Sequence, residues 1–136
     1  MTTAKTTYLG ELRTSSIHLQ SSSKIISDAP LDNQGKGQAF SPTDCCATSL
    51  AMCMFTIMGI HVQKHDFDII DSFAEVTKTM ASDPRRISKI DVKMTVKTSR
   101  SLNENEKKAL ENAAFHCPVA KSLHPDITQA ITFSYQ

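Results

Sequence analysis

Apolar and polar positions alternate most regularly between residues 90 and 97. Ile90, Val92, Met94 and Val96 are separated by Asp91, Lys93, Thr95 and Lys97. A side-chain period of two predicts a strand with one buried and one wet face. Near the N-terminus, Thr6 to Ser16 and His18 to Ser27 carry β-branched and apolar residues around a turn at Ser21-Ser22-Ser23, which predicts two strands. Asp28-Ala29-Pro30 and Asp32 to Gly37 form a polar, glycine-containing stretch that predicts a loop. Aromatic and β-branched residues favour a strand from Phe67 to Met80, stopped by a Ser82-Asp83-Pro84 turn, and Ile127 to Tyr135 predicts a final edge strand.

Two segments carry helical patterns. Ser41-Pro42 opens the first: serine at the N-cap, proline at the first helical position and Asp44 in the first turn all suit a helix start. From Cys45 to Ile60 the segment is apolar nearly all round, with no charged face, so it is expected to be enclosed by protein. Asn103 followed three residues later by Glu106 predicts a capping box and a second helix. Its apolar stripe is Leu110, Ala113, Ala114 and Cys117, at i, i+3, i+4 and i+7, after which Pro118 ends the helix or begins a new turn. The order of elements is that of a single α+β domain over residues 1–136.

Composition narrows the function classes. Hydrophobic residues make up 40% and charged residues 21%, as in a soluble globular chain, and the net charge of +1 gives no reason to expect nucleic acid or an anionic membrane as partner. The N-terminus lacks the apolar segment of a secretory signal, and the apolar run from Cys45 to Ile60 falls short of the roughly 20 residues of a spanning helix. A cytoplasmic location is therefore expected. In that compartment, Cys45, Cys46, Cys53 and Cys117 are not a structural disulfide framework. Each is a buried hydrophobe, a metal ligand or a redox group. Cys53 lies mid-helix among Met52, Met54 and Phe55, where an apolar setting raises a thiol pKa, so reactivity would need a cation or donor from elsewhere. Cys117, in Phe115-His116-Cys117-Pro118-Val119, closes an apolar stripe. A zinc site from Cys53, Cys117, His116 and Cys45 or Cys46 lacks any C-x-x-C or H-x-x-x-H spacing. Cys45 and Cys46 read as packing residues.

Ala39-Phe40-Ser41-Pro42-Thr43-Asp44, continued by an apolar helix with Cys53 and then Thr56-Ile57-Met58-Gly59-Ile60, resembles the central helix of the OsmC/Ohr family, the osmotically inducible and organic hydroperoxide resistance proteins. Asp28 to Gly37, Met80 with Pro84-Arg85-Arg86-Ile87, and Cys117-Pro118-Val119 with Lys121-Ser122-Leu123 resemble an OsmC-like subgroup. The resemblance implies an intertwined homodimer, with sheets wrapped around two central helices and a reactive site where the subunits meet. It implies a thiol-dependent peroxidase, with Cys53 the peroxidatic and Cys117 the resolving thiol, acting on organic hydroperoxides. A small dithiol of lipoyl type would complete the cycle, with no flavin, haem or metal cofactor. The resemblance implies that Arg13, in Gly10-Glu11-Leu12-Arg13, is the counterpart of the family arginine. Asp44 stands one step after the position of the family glutamate, which here is Thr43, and is equally a helix N-terminal charge. The alternative within the same fold is a non-catalytic protein that binds an apolar ligand at the dimer interface.

Overall fold

The computed structural model describes all residues from Met1 to Gln136 and divides them into two compact units, Met1–Cys46 and Ala47–Gln136. The first unit is built on a three-stranded antiparallel sheet in the order β1 (Ala4–Gly10), β2 (Arg13–His18), β3 (Lys24–Asp28). The turn at Ser21-Ser22-Ser23 lies where the sequence places it, but the single strand expected from Thr6 to Ser16 is a hairpin. Its two-residue turn is Glu11-Leu12, both at positive φ (52° and 64°). That geometry normally selects asparagine or glycine, so Glu-Leu carries no turn signature.

The loop after β3 contains a 3-10 turn at Leu31–Asn33, and Phe40 returns to bridge Ser27. Gly35 is required there by close approach, because a Cβ would lie 1.7 Å from the Ala29 carbonyl oxygen. The first unit supplies no residue to the buried apolar cluster of the chain, and Tyr8, Leu9, Leu12, Ile17 and Ile25 remain exposed on it.

The second unit holds that cluster. Its sheet has the order β4 (Ile69–Ala81), β5 (Arg86–Thr98), β6 (Thr128–Tyr135), with β4 antiparallel and β6 parallel to β5. The predicted alternation is realised: Ile90, Val92, Met94 and Val96 are all buried at 1% exposure or less. Against them lies α1 (Pro42–Val62), whose Leu50, Ala51, Met54, Met58 and Val62 form a stripe at helical spacing. Leu110 and Ala114 of α2 (Glu104–Phe115) complete the core. The capping box of α2 is present: the Asn103 side chain accepts from the Glu106 N–H at 2.9 Å, and the Glu106 carboxylate accepts from the Asn103 N–H at 2.9 Å. Arg100 donates to both oxygens of Glu106, at 2.8 and 3.1 Å, pairs with Asp66 and covers the Phe67 ring at 5.2 Å.

Within one chain, α1 is not enclosed on all sides as its composition suggested. One face is buried, while Met52 is 63% and Ile60 49% exposed. At 21 residues it is also long and apolar enough to cross a membrane by length and composition alone, and a buried core helix passes the same test. Its inner stripe belongs to the sheet core.

Candidate redox site

Cys53 and Cys117 reach one another from different elements of the second unit. Cys53 is half-buried on α1, immediately before core residue Met54, and lies against the apolar cluster. Cys117 is fully buried at the junction between α2 and α3 (Pro118–Ser122). Proline at the first position of α3 suits a helix start, because its missing N–H would have no intrahelical partner. Cys117 is the N-cap of that turn, and its Sγ accepts the Ala120 N–H at 3.3 Å. Cys53 neighbours the Cys117 thiol closely enough to act on its protonation.

That environment sets the protonation of Cys117. Burial pushes its pKa up, and the neighbouring Cys53 adds to the rise, while the amides of Ala120 and Val119 pull the other way. Cys117 is therefore held protonated at neutral pH. No disulfide is formed in this state.

The other sequence-predicted residues have well-defined partners. Arg13 heads β2 opposite Asp28 of β3 in the register. Its Nε and Nη2 grip the two Asp28 carboxylate oxygens at 2.7 and 2.8 Å, and Nη2 also reaches Gln38 Oε1 at 3.0 Å. The Gln38 N–H donates to the same carboxylate at 3.0 Å. Hydrogen bonding to Arg13 holds the Asp28 carboxyl below its usual range, although its burial opposes this. Asp28, only 2% exposed, is the residue that sequence reasoning left inside a loop motif without a role. Its signal was an acid at a strand end, which means nothing until the β2–β3 register is known.

Asp44 belongs to a reciprocal cap. Its carboxylate accepts from the Ser41 N–H at 2.9 Å, and its own N–H donates to Ser41 Oγ at 3.0 Å. Of the adjacent pair, Cys45 is half-buried and Cys46 exposed, so packing does not describe Cys46. His116, the histidine nearest in sequence to Cys117, donates Nδ1–H to the Asn112 carbonyl at 2.7 Å. No three His, Cys, Asp or Glu side chains gather in an arrangement that could hold a metal ion.

A family model for OsmC-like proteins matches residues 35–132. A protein of Psychrobacter arcticus 273-4, described provisionally as an osmotic stress induced and detoxification response protein, is 55% identical. Its structure superposes with a TM-score of 0.93 over 98% of this chain and 96% of that one. An OsmC-like protein of Mycoplasma pneumoniae shares the fold at 15% identity and TM-score 0.78, covering 97% of this chain and 94% of its own. An organic hydroperoxide resistance protein of Bacillus subtilis does so at 21% identity and TM-score 0.66, with 98% of each chain covered. No curated protein matches the sequence. With the family match spanning most of the chain and the α+β architecture agreeing, the chain belongs to the OsmC-like protein family.

Proposed function

We propose that the protein is a thiol-dependent peroxidase that reduces organic hydroperoxides with Cys53 and Cys117. The observation that carries this reading is the pairing itself: a half-exposed thiol neighbouring a buried one whose pKa is raised. The Cys53 thiolate attacks the distal oxygen of ROOH, the O–O bond breaks, and a proton taken up by the departing alkoxide gives ROH and Cys53 sulfenic acid. Cys117 then attacks the sulfenic sulfur. Its proton leaves with the hydroxyl as water, and the Cys53–Cys117 disulfide forms before a second peroxide can over-oxidise Cys53. A small dithiol of lipoyl type returns both electrons. Reduced thiols between turnovers suit a cytoplasmic protein.

The functional unit in this proposal is a homodimer, with the outer face of α1 in the interface. The support is the pair of surfaces that one chain leaves bare. The first unit has no apolar core of its own, and α1 exposes Met52 and Ile60. A three-stranded sheet needs an apolar face buried somewhere to be stable.

Intact mass after one equivalent of an organic hydroperoxide tests the chemistry. Wild type should lose two mass units, with the bond mapping to Cys53 and Cys117. Cys117→Ser should reduce one equivalent, gain one oxygen at Cys53 and stop. Cys53→Ser should consume no peroxide. A disulfide to Cys45 or Cys46 removes Cys117 from the resolving role, and the absence of any cysteine reaction leaves the apolar-ligand protein as the better description.

A further inference from the structure

We infer that the Cys53–Cys117 disulfide has a fixed polarity: an external thiol attacks Cys53 Sγ and expels the Cys117 sulfur, never the reverse. This rests on the two-cysteine reading above and specifies where the reductant enters. Thiol–disulfide exchange is an in-line displacement, so the attacking sulfur must approach opposite the S–S bond, and access decides which sulfur is struck. Cys117 has no exposed surface and belongs to the buried core cluster with Leu110 and Ala114. Cys53 keeps part of its surface open on α1.

The environment of the expelled sulfur favours the same direction. The Ala120 N–H points at Cys117 Sγ from 3.3 Å, ready to bond the anion as it departs. Proline at position 118 and the N-cap geometry hold that amide in place. Burial then ensures that the expelled thiolate takes up a proton, since the Cys117 pKa is raised.

The balance is complete. One thiol of the reductant forms a bond to Cys53 Sγ as the Cys53–Cys117 bond breaks, and its proton ends on Cys117. The second thiol of the same molecule then attacks the reductant's own sulfur in the mixed disulfide, closes the oxidised dithiol and releases Cys53. Two electrons pass from reductant to protein. A dithiol is favoured because its second sulfur is already tethered beside the mixed disulfide.

Polarity can be tested without peroxide. The full-length wild type is oxidised with diamide, the Cys53–Cys117 bond is confirmed by peptide mapping, 2-mercaptoethanol is added for a short pulse, and the exchange is stopped with acid before N-ethylmaleimide is added in denaturant. Peptide mass then reports which cysteine carries mercaptoethanol and which carries maleimide. The expected result is mercaptoethanol on Cys53 and maleimide on Cys117, in at least about tenfold excess over the opposite pattern. The same pulse in guanidinium chloride should give both patterns in similar amounts, because the asymmetry belongs to the fold. Adducts mainly on Cys117, equal adducts in the native protein, or failure of diamide to link the two cysteines would each overturn the inference. Hydroperoxide consumption by the same preparation is measured separately, so a loss of the peroxidase reading is distinguishable from a wrong polarity.

Discussion

Truncating Met52 tests whether the outer face of α1 is an interface. Complete burial of a methionine side chain is worth about 1.5–3 kcal/mol. Met52 is 63% exposed in the single chain, which leaves about 1–2 kcal/mol for a partner to recover by covering it. A twofold interface presents the residue twice, so Met52→Ala should weaken the dimer by about 2–4 kcal/mol, less the small share retained by the alanine Cβ. That corresponds to a dissociation constant raised roughly 30-fold to several-hundred-fold. Met52→Asp should act more strongly, because a carboxylate would be placed in an apolar contact. Sedimentation velocity across a concentration series gives the constant directly, and circular dichroism checks that the helix survives. A dimer of unchanged strength in both variants would remove this face of α1 from the interface. A folded wild-type monomer at micromolar concentration would refute the dimer altogether.

Two further expectations concern charge. Hydrogen bonding to Arg100 first, and to the Asn103 N–H second, lowers the Glu106 pKa from an ordinary 4.5 to about 2. A depressed folded-state value means that the carboxylate stabilises the fold at pH above its ordinary value, and that this contribution is lost as pH falls through the window from 4.5 to about 2. Glu106→Gln keeps a capping-box side chain but loses the charge, so its urea midpoint should lie below wild type at pH 7, and the gap should narrow below pH 4.5 and close only below about pH 2. A gap independent of pH would refute the assignment. Hydrogen bonding to Arg13 lowers the Asp28 pKa, so Arg13→Ala should lower the urea midpoint at neutral pH, and the gap should close as pH falls below the ordinary carboxylate range. A midpoint equal to wild type at neutral pH would refute a stabilising role for the clamp.

What could be read from the sequence was local. The alternation from Ile90 to Val96 survives because its period-two pattern matches the one buried face of β5. Asn103 and Glu106 identify the start of α2 because a capping box is closed within four residues. The β1–β2 turn was missed for the complementary reason: Glu11 and Leu12 adopt positive φ without the residues that advertise it. Pairing is non-local, so nothing in the chain announced two three-stranded sheets or the parallel docking of β6 on β5. At the site, the helical stripe placed Cys117 on a buried face, but its meeting with Cys53 depends on how α1 and α2 share one core. The Arg13–Asp28 clamp likewise follows from strand register.

The backbone contexts of the two cysteines differ in a way that suits their proposed roles. Cys53 is in the middle of α1, where helical hydrogen bonding fixes it on both sides along 21 residues. Cys117 is at a break between helices. Its N–H reaches the Ala114 carbonyl at 3.3 Å, and its own carbonyl accepts the Lys121 N–H at 3.3 Å. Both bonds are longer than the usual 2.9–3.0 Å. A disulfide requires Cβ atoms roughly 3.5–4.5 Å apart, with a defined dihedral angle about the sulfurs. Whatever backbone adjustment that closure demands falls more easily on the α2–α3 junction than on the middle of α1. In the proposed cycle a fixed nucleophile keeps its geometry towards the peroxide, while the resolving thiol must move into bonding distance of it. A half-exposed thiol on a continuous helix and a buried one at a helix break meet those separate demands.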